Sequence, residues 1–202
     1  KVMKRISRVY IVRHGQVKGF EKFPVYGYTD AELTDIGLLQ MQQMAERLRW
    51  LEPGAIYSSD LKRSITGGRL IAQYHDVPHH SLAELREMYF GEWEGLIFSE
   101  IKKLFPEELD KRKADLLKYK APGGGESIDS FSRRIMSCFD RILSEHKGKD
   151  IIIVGHGGIN RIIICCALGL SPAQMFHIHQ DYGCLNIIDY CKDSTLVRLI
   201  NG

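Results

Sequence analysis

Apolar residues recur along this chain with two periods. Val9-Tyr10-Ile11-Val12, Ala55-Ile56-Tyr57 and Ile151-Ile152-Ile153-Val154 are short unbroken apolar runs, the pattern of strands buried on both faces of a sheet. Each precedes a stretch with helical spacing. Thr34 is placed to cap a helix whose apolar residues fall at Leu38, Met41, Met44, Ala45, Leu48 and Leu51. Asp60 is placed to cap a second helix running toward Tyr74, and a third carries Ile128, Phe131, Ile135, Phe139 and Ile142. A fourth, from about Asn160 to Leu168, is almost wholly apolar and is expected to stop at Gly169, with Pro172 beyond. Cys184–Tyr190 and Leu196–Ile200 read as late strands that close the sheet.

Strands alternating with helices predict an α/β fold, a three-layer sandwich with a mostly parallel mixed sheet and helices on both faces. Residues 90–125, approximately, break the rhythm with Pro106, a Lys-rich helix and Ala121-Pro122-Gly123-Gly124-Gly125. They are expected to form a helical insertion over one end of the sheet, within one domain spanning 1–202.

Composition narrows the class. Of 202 residues, 44% are hydrophobic and 26% charged, enough for a substantial core. A net charge of +3 argues against a nucleic-acid binder that relies on bulk basic charge, but leaves room for a local basic pocket. Cys138, Cys165, Cys166, Cys184 and Cys191 are odd in number and hold no C-x-x-C pair, which reads as a reduced, cytoplasmic protein. Lys1-Val2-Met3-Lys4-Arg5 leads into a strand rather than a secretory pattern. No apolar run approaches the ~18 residues of a membrane span.

The chemistry gathers where the strands end. Val9–Val12 runs into Arg13-His14-Gly15, Ile151–Val154 into Gly155-His156-Gly157-Gly158, and Ala55–Tyr57 into Ser58-Ser59-Asp60, with Arg63 one turn further on. In open α/β sheets, ligands bind outside the carboxyl ends of the strands. If these strands are neighbours, Arg13, His14, Arg63 and His156 converge on one crevice beside glycines that let backbone approach a ligand, Gly157 among them. Two guanidiniums suit a phosphate monoester dianion through forked, charge-assisted hydrogen bonds. A neutral imidazole can attack phosphorus and split the hydrolysis into two steps. One carboxyl group can then serve as acid and later as base.

These segments resemble the histidine phosphatase superfamily, the phosphoglycerate mutase-like group. The similarity runs through Arg13-His14-Gly15, Leu33-Thr34-Asp35-Ile36-Gly37, Tyr57–Arg63, Glu84-Leu85-Arg86-Glu87 through Gly91–Gly95, Gly124–Ser127 and Val154–Gly158, in the family's order. It implies a phosphatase whose His14 becomes phosphohistidine. Arg13, Arg63 and His156 would hold the phosphoryl group, and Glu87 would be acid and then base. It implies a small phosphorylated metabolite as substrate and no cofactor or metal. That agrees with the sequence, in which no H-x-x-x-H or clustered Asp pattern reads as a catalytic metal site. No nucleic-acid or membrane partner is expected, and the protein is expected to be a monomer or homodimer.

Other features qualify the picture. The family often reads Arg-His-Gly-Glu-Thr, whereas Gln16 and Val17 follow Gly15 here, so one hydroxyl that can touch phosphate is gone. Arg112 stands alone among lysines, which favours a phosphatase over the mutase branch with its paired arginines. The Arg-His-Gly-Gln-Val start and compact length are similar to α-ribazole-5′-phosphate phosphatases. Fructose-2,6-bisphosphatase-like, broad sugar phosphatase and phosphoglycerate mutase activities stay open, as does a catalytically weak phospho-ligand binding module. His177-x-His179 and His79-His80 read as surface or helix-end residues, Cys165-Cys166 as core, and the lysines of Lys111–Lys120 as a solvated face. Phe20, Phe23, Tyr26, Tyr28, Tyr89, Phe90 and Trp93 flank the motifs. Some of them are expected to wall a leaving-group pocket. Glu84 is the reserve for Glu87.

Overall fold

β1 (Arg5–Arg13), β2 (Pro53–Ser58), β3 (His79–Ser81), β4 (Asp150–Gly155), β5 (Leu185–Cys191) and β6 (Thr195–Leu199) form one six-stranded sheet in the order β3-β2-β4-β1-β5-β6. The computed structural model describes residues 4–22 and 24–202. Phe23 and the start of the N-terminal reading, Lys1–Met3, lie outside the described residues. β1 to β4 run parallel, and β5 is antiparallel to both of its neighbours. The chain is therefore an α/β protein with a mixed, mostly parallel sheet.

Alternation along the strands sorts the core into two layers. Val9, Ile11, Ile151 and Ile153 join α5 (Ile128–Glu145) and α6 (Gly157–Ala167) on one face. Tyr10, Val12, Ile152 and Val154 join α1 (Asp35–Leu48) and α2 (Lys62–Ala72) on the other. Each such Ile or Val contributes about 1.5–3 kcal/mol on burial. A one-residue slip of a strand would exchange the two faces, so burial also sets the register. Thr34 caps α1 as predicted, its hydroxyl accepting the Gly37 N–H at 3.0 Å. Ser127 does the same for α5.

Several expectations are corrected. Asp60 does not cap α2, which begins at Lys62 with no side-chain cap. Its carboxylate instead takes a forked ion pair from Arg86, at 2.7 and 2.5 Å. The apolar helix starts at Gly157 rather than near Asn160, because Gly157 and Gly158 form its first turn. Cys165 is core, but Cys166 is exposed. β3 and the polar start of β1 escaped the apolar pattern. Arg8 is held in β1 by Asp189 of β5, which accepts two of its N–H groups. Within the 90–125 stretch, α3 (Phe98–Leu104) and α4 (Pro106–Ala114) pack around a third apolar cluster of Trp93, Ile101 and Ala121.

Candidate active site

Strand register builds the site. Arg13 lies opposite Gly155 across β1 and β4, and Ser58 lies opposite Val154 across β2 and β4. The next residues, His14, His156 and Ser59, leave the sheet side by side at its carboxyl end. The rings of His14 and His156 meet edge to face, 5.1 Å between centroids, and both are buried. The Arg13-His14-Gly15 turn is locked against α1 by backbone contact. A Cβ on Gly15 would lie 2.2 Å from the Gly37 carbonyl oxygen, so only glycine fits there. Thr34 donates to the Gln16 side chain at 2.9 Å, and Val17 is in the core.

The His14 Nδ1–H donates to the Gly15 carbonyl at 2.8 Å, the tautomer that leaves the Nε2 lone pair free. Burial, then Arg63 and Arg13, hold its pKa well below the usual histidine value. His156 is likewise held neutral, by burial and then by Arg63, His14 and Arg13. Both of its nitrogens are engaged. Nδ1 accepts from Arg63 Nε at 3.2 Å, so Nε2–H donates to the Ser59 hydroxyl at 2.7 Å. His156 as placed orients Arg63 rather than presenting a free donor to the pocket.

Arg63 is fully buried. Its remaining nitrogens donate to the Gly27 and Thr29 carbonyls, each at 2.6 Å. That loop is gathered in turn by the Glu94 carboxylate, which accepts the N–H groups of Gly27, Tyr28 and Thr29 at 3.0 Å. Arg13 donates to the Gln180 carbonyl, and its Nε is buried without a partner.

Glu87 reaches the start of α6. Its Oε2 accepts the Gly158 N–H at 2.8 Å and its Oε1 the Met88 N–H at 2.9 Å. A Cβ on Gly158 would stand 2.3 Å from Oε1. Arg134 clamps the segment that carries Glu87, donating to the carbonyls of Glu84, Arg86 and Glu87 while gripping Glu126 with two nitrogens. The reserve residue, Glu84, pairs with Arg141 away from the pocket.

Two adjoining spaces result. A pocket of about 200 Å³ is bordered by Arg13, His14, Tyr26, Arg63, Glu87, Gly157 and Arg161. A cavity of about 310 Å³ is walled chiefly by Phe90, Trp93, Phe98, Ile101, Leu116, Tyr119, Met175 and Phe176. Glu87, Phe90, Val25 and Arg161 border both. Of the aromatics singled out, Phe90 and Trp93 wall the cavity and Tyr26 the smaller pocket. Phe20 packs in the α1 layer, and Tyr28 and Tyr89 pack on each other.

Arg161 and Tyr182 were not foreseen. Arg161 lies four residues after Gly157 on α6, the spacing that shares a helix face, so its position was readable. Tyr182, under the Arg13 guanidinium at 4.1 Å, follows no local pattern. His79 accepts or donates at Ser58, and His179 pairs with Asp181. Among the described residues no three His, Cys, Asp or Glu side chains gather as metal ligands. Nor is any helix long and apolar enough to cross a membrane.

Imidazole and guanidinium groups around a dianion-sized pocket, at the carboxyl end of a mostly parallel sheet, define a phosphatase. The chain belongs to the histidine phosphatase superfamily, branch 1, whose family model matches residues 9–202. An adenosylcobalamin/alpha-ribazole phosphatase of Salmonella typhimurium is 28% identical over 96% of both chains. A metal-independent phosphoserine phosphatase of Arabidopsis thaliana is 34% identical over 81% of this chain and 69% of its own. The crystal structure of the alpha-ribazole phosphatase from Shigella flexneri superposes with a TM-score of 0.88, at 26% identity and 96% coverage of both chains.

Proposed function

We propose that this protein hydrolyses phosphate monoesters without a metal, with His14 as the nucleophile. The observation that carries the reading is the fixed tautomer of His14. Its Nδ1 is committed to Gly15 and its ring is kept neutral by burial beside two guanidiniums. The Nε2 lone pair forms a bond to phosphorus while the P–O bond to the alcohol breaks. Arg13, Arg63, Arg161 and the backbone around Gly157 receive the charge on the equatorial oxygens. The Glu87 carboxyl gives the leaving oxygen a proton. It then takes one from the water that breaks the P–N bond and returns His14 to its neutral form.

The leaving alcohol extends past Glu87 into the aromatic cavity. At about 310 Å³ it accepts a ring system, whereas a serine or glycerate would leave most of it empty and desolvate its own charges. α-Ribazole 5′-phosphate is the substrate this favours, and the reaction is assigned to the cytoplasm. Residues 1–202 act as one catalytic domain, with α3 and α4 as an insertion that walls the leaving-group side.

The test is phosphate release in excess chelator by wild type and His14→Ala. The panel holds an activated aryl phosphate, α-ribazole 5′-phosphate, a nucleoside 5′-monophosphate, phosphoserine, 3-phosphoglycerate and fructose 2,6-bisphosphate. Chelator-resistant turnover that vanishes in His14→Ala, fastest on a ring-bearing ester, is expected. Full activity of His14→Ala would overturn the mechanism. Mutase activity without phosphate release would overturn the assignment as a hydrolase.

A further inference from the structure

The hydroxyls of Tyr26 and Tyr182 meet at 2.6 Å beside the nucleophile. Their rings lie 6.5 and 5.8 Å from the His14 ring. Each ring also supports one of the three arginines that border the pocket. The Arg13 guanidinium sits 4.1 Å from the Tyr182 ring centre and that of Arg63 sits 5.1 Å from the Tyr26 ring centre. The two tyrosines come from segments far apart in the chain. The turn carrying Tyr182 is tied to the site by Gly183, whose N–H donates to the His14 carbonyl at 3.1 Å.

Proton counting gives this contact a consequence. Two hydroxyls bring two protons, and the contact between them uses one. The accepting hydroxyl therefore keeps a proton to donate elsewhere. Among the described residues bordering the smaller pocket, Tyr26 is the only one that bears a hydroxyl. Burial raises its phenol well above the usual value, so it remains protonated at working pH. Arg13 Nε is a second buried donor there without a partner. The segment after Gly15 supplies no competing group, since Gln16 is bonded to Thr34 and Val17 is core.

We propose that Tyr26 donates a hydrogen bond to the phosphoryl group, with Tyr182 donating to the Tyr26 oxygen and positioning it. The pair thus supplies the hydroxyl that the Gln16-Val17 segment does not. Such a relay polarises the donating O–H, and it brings no net charge to a pocket already crowded with cations. The inference rests on the phosphomonoesterase reading above for the identity of the ligand.

Orthovanadate is the probe, read both as a competitive inhibitor of aryl phosphate hydrolysis and by calorimetric binding. It is applied to wild type, Tyr26→Phe, Tyr182→Phe and the double variant, with a thermal midpoint for each. Phenylalanine keeps both rings against the guanidiniums and removes only the hydroxyls. Tyr26→Phe is expected to weaken vanadate binding about tenfold, the effect of one charge-assisted hydrogen bond. Tyr182→Phe is expected to weaken it about threefold, because it removes only the polarising partner. The double variant should be no worse than Tyr26→Phe alone, since Tyr182 acts through Tyr26. Vanadate affinity unchanged in Tyr26→Phe, or losses that simply add, would overturn the proposal, and so would a lowered thermal midpoint with unchanged affinity. A wild type that binds vanadate but releases no phosphate from any ester would count against the phosphatase reading and leave the tyrosine result readable by calorimetry.

Discussion

Glu87 and Gly158 are fitted to each other. The carboxylate accepts the Gly158 N–H at 2.8 Å, and the space a methyl group would need is taken by Oε1. Gly158→Ala should therefore push the carboxyl group out of place while leaving His14 untouched. Turnover of alkyl phosphates, which need a proton on the leaving oxygen, should fall about 10²-fold, and activated aryl phosphates should lose far less. Equal losses on both would show that Glu87 is not the acid.

Arg134 itself lines neither space, yet three backbone carbonyls around Glu87 depend on it. Arg134→Met keeps much of the side-chain bulk and removes those donors. It should lower stability by about 2 kcal/mol, since buried acceptors lose their partners. It should also reproduce in milder form the leaving-group dependence of Gly158→Ala. A urea titration and a leaving-group series check the two halves separately.

The buried imidazoles make stability depend on pH with a defined sign. Folded His14 and His156 have pKa values well below the usual 6.5. As pH falls below 6.5, the unfolded chain takes up protons that the folded protein does not. Stability then falls by up to about 1.4 kcal/mol per pH unit for each imidazole, until the folded values are reached. His14→Gln should remove one share of that slope in urea midpoints between pH 7 and 5. The acid limb of kcat/KM should likewise lie below 6.5, where His14 finally loses its lone pair to a proton. Equal slopes in wild type and His14→Gln would contradict the buried neutral state.

Filling the aromatic cavity should separate substrates by size. Ala121 is buried on its wall, and Ala121→Leu adds three carbons there. Turnover of a ring-bearing phosphate should drop about tenfold in kcat/KM, roughly the effect of displacing a well-packed group. Phosphoserine should be affected little. A uniform loss would place the leaving group elsewhere.

Much of this arrangement was legible because it is local. Two apolar strands ending in His-Gly placed His14 and His156 together, since parallel neighbours deliver their ends to the same edge. Thr34 was readable as a cap because capping depends on three residues. Asp60 misled for the complementary reason. Its choice between the helix end and Arg86 is decided by a residue 26 positions away, and the forked ion pair prevails. His79–Ser81 is too short and polar to announce a strand, and exists by pairing with β2. Tyr182 meets Tyr26 across 156 positions, and no periodicity encodes that. His156 was legible as a neighbour of His14, but its engagement with Ser59 and Arg63 shows only in three dimensions.

Glu87 borders both the cationic pocket and the aromatic cavity, and that shared wall changes how selectivity would be expressed. On the proposed mechanism, an alcohol that fills the cavity would displace the water around the carboxyl group as it hands over its proton. A shorter alcohol leaves that water in place, even when its phosphate is gripped just as firmly. Discrimination would then surface in the rate at saturation rather than in the strength of attachment. Small phosphorylated competitors gripped as firmly would then occupy the site in proportion to their concentration and leave it mostly unreacted, slowing the favoured ester without being consumed themselves.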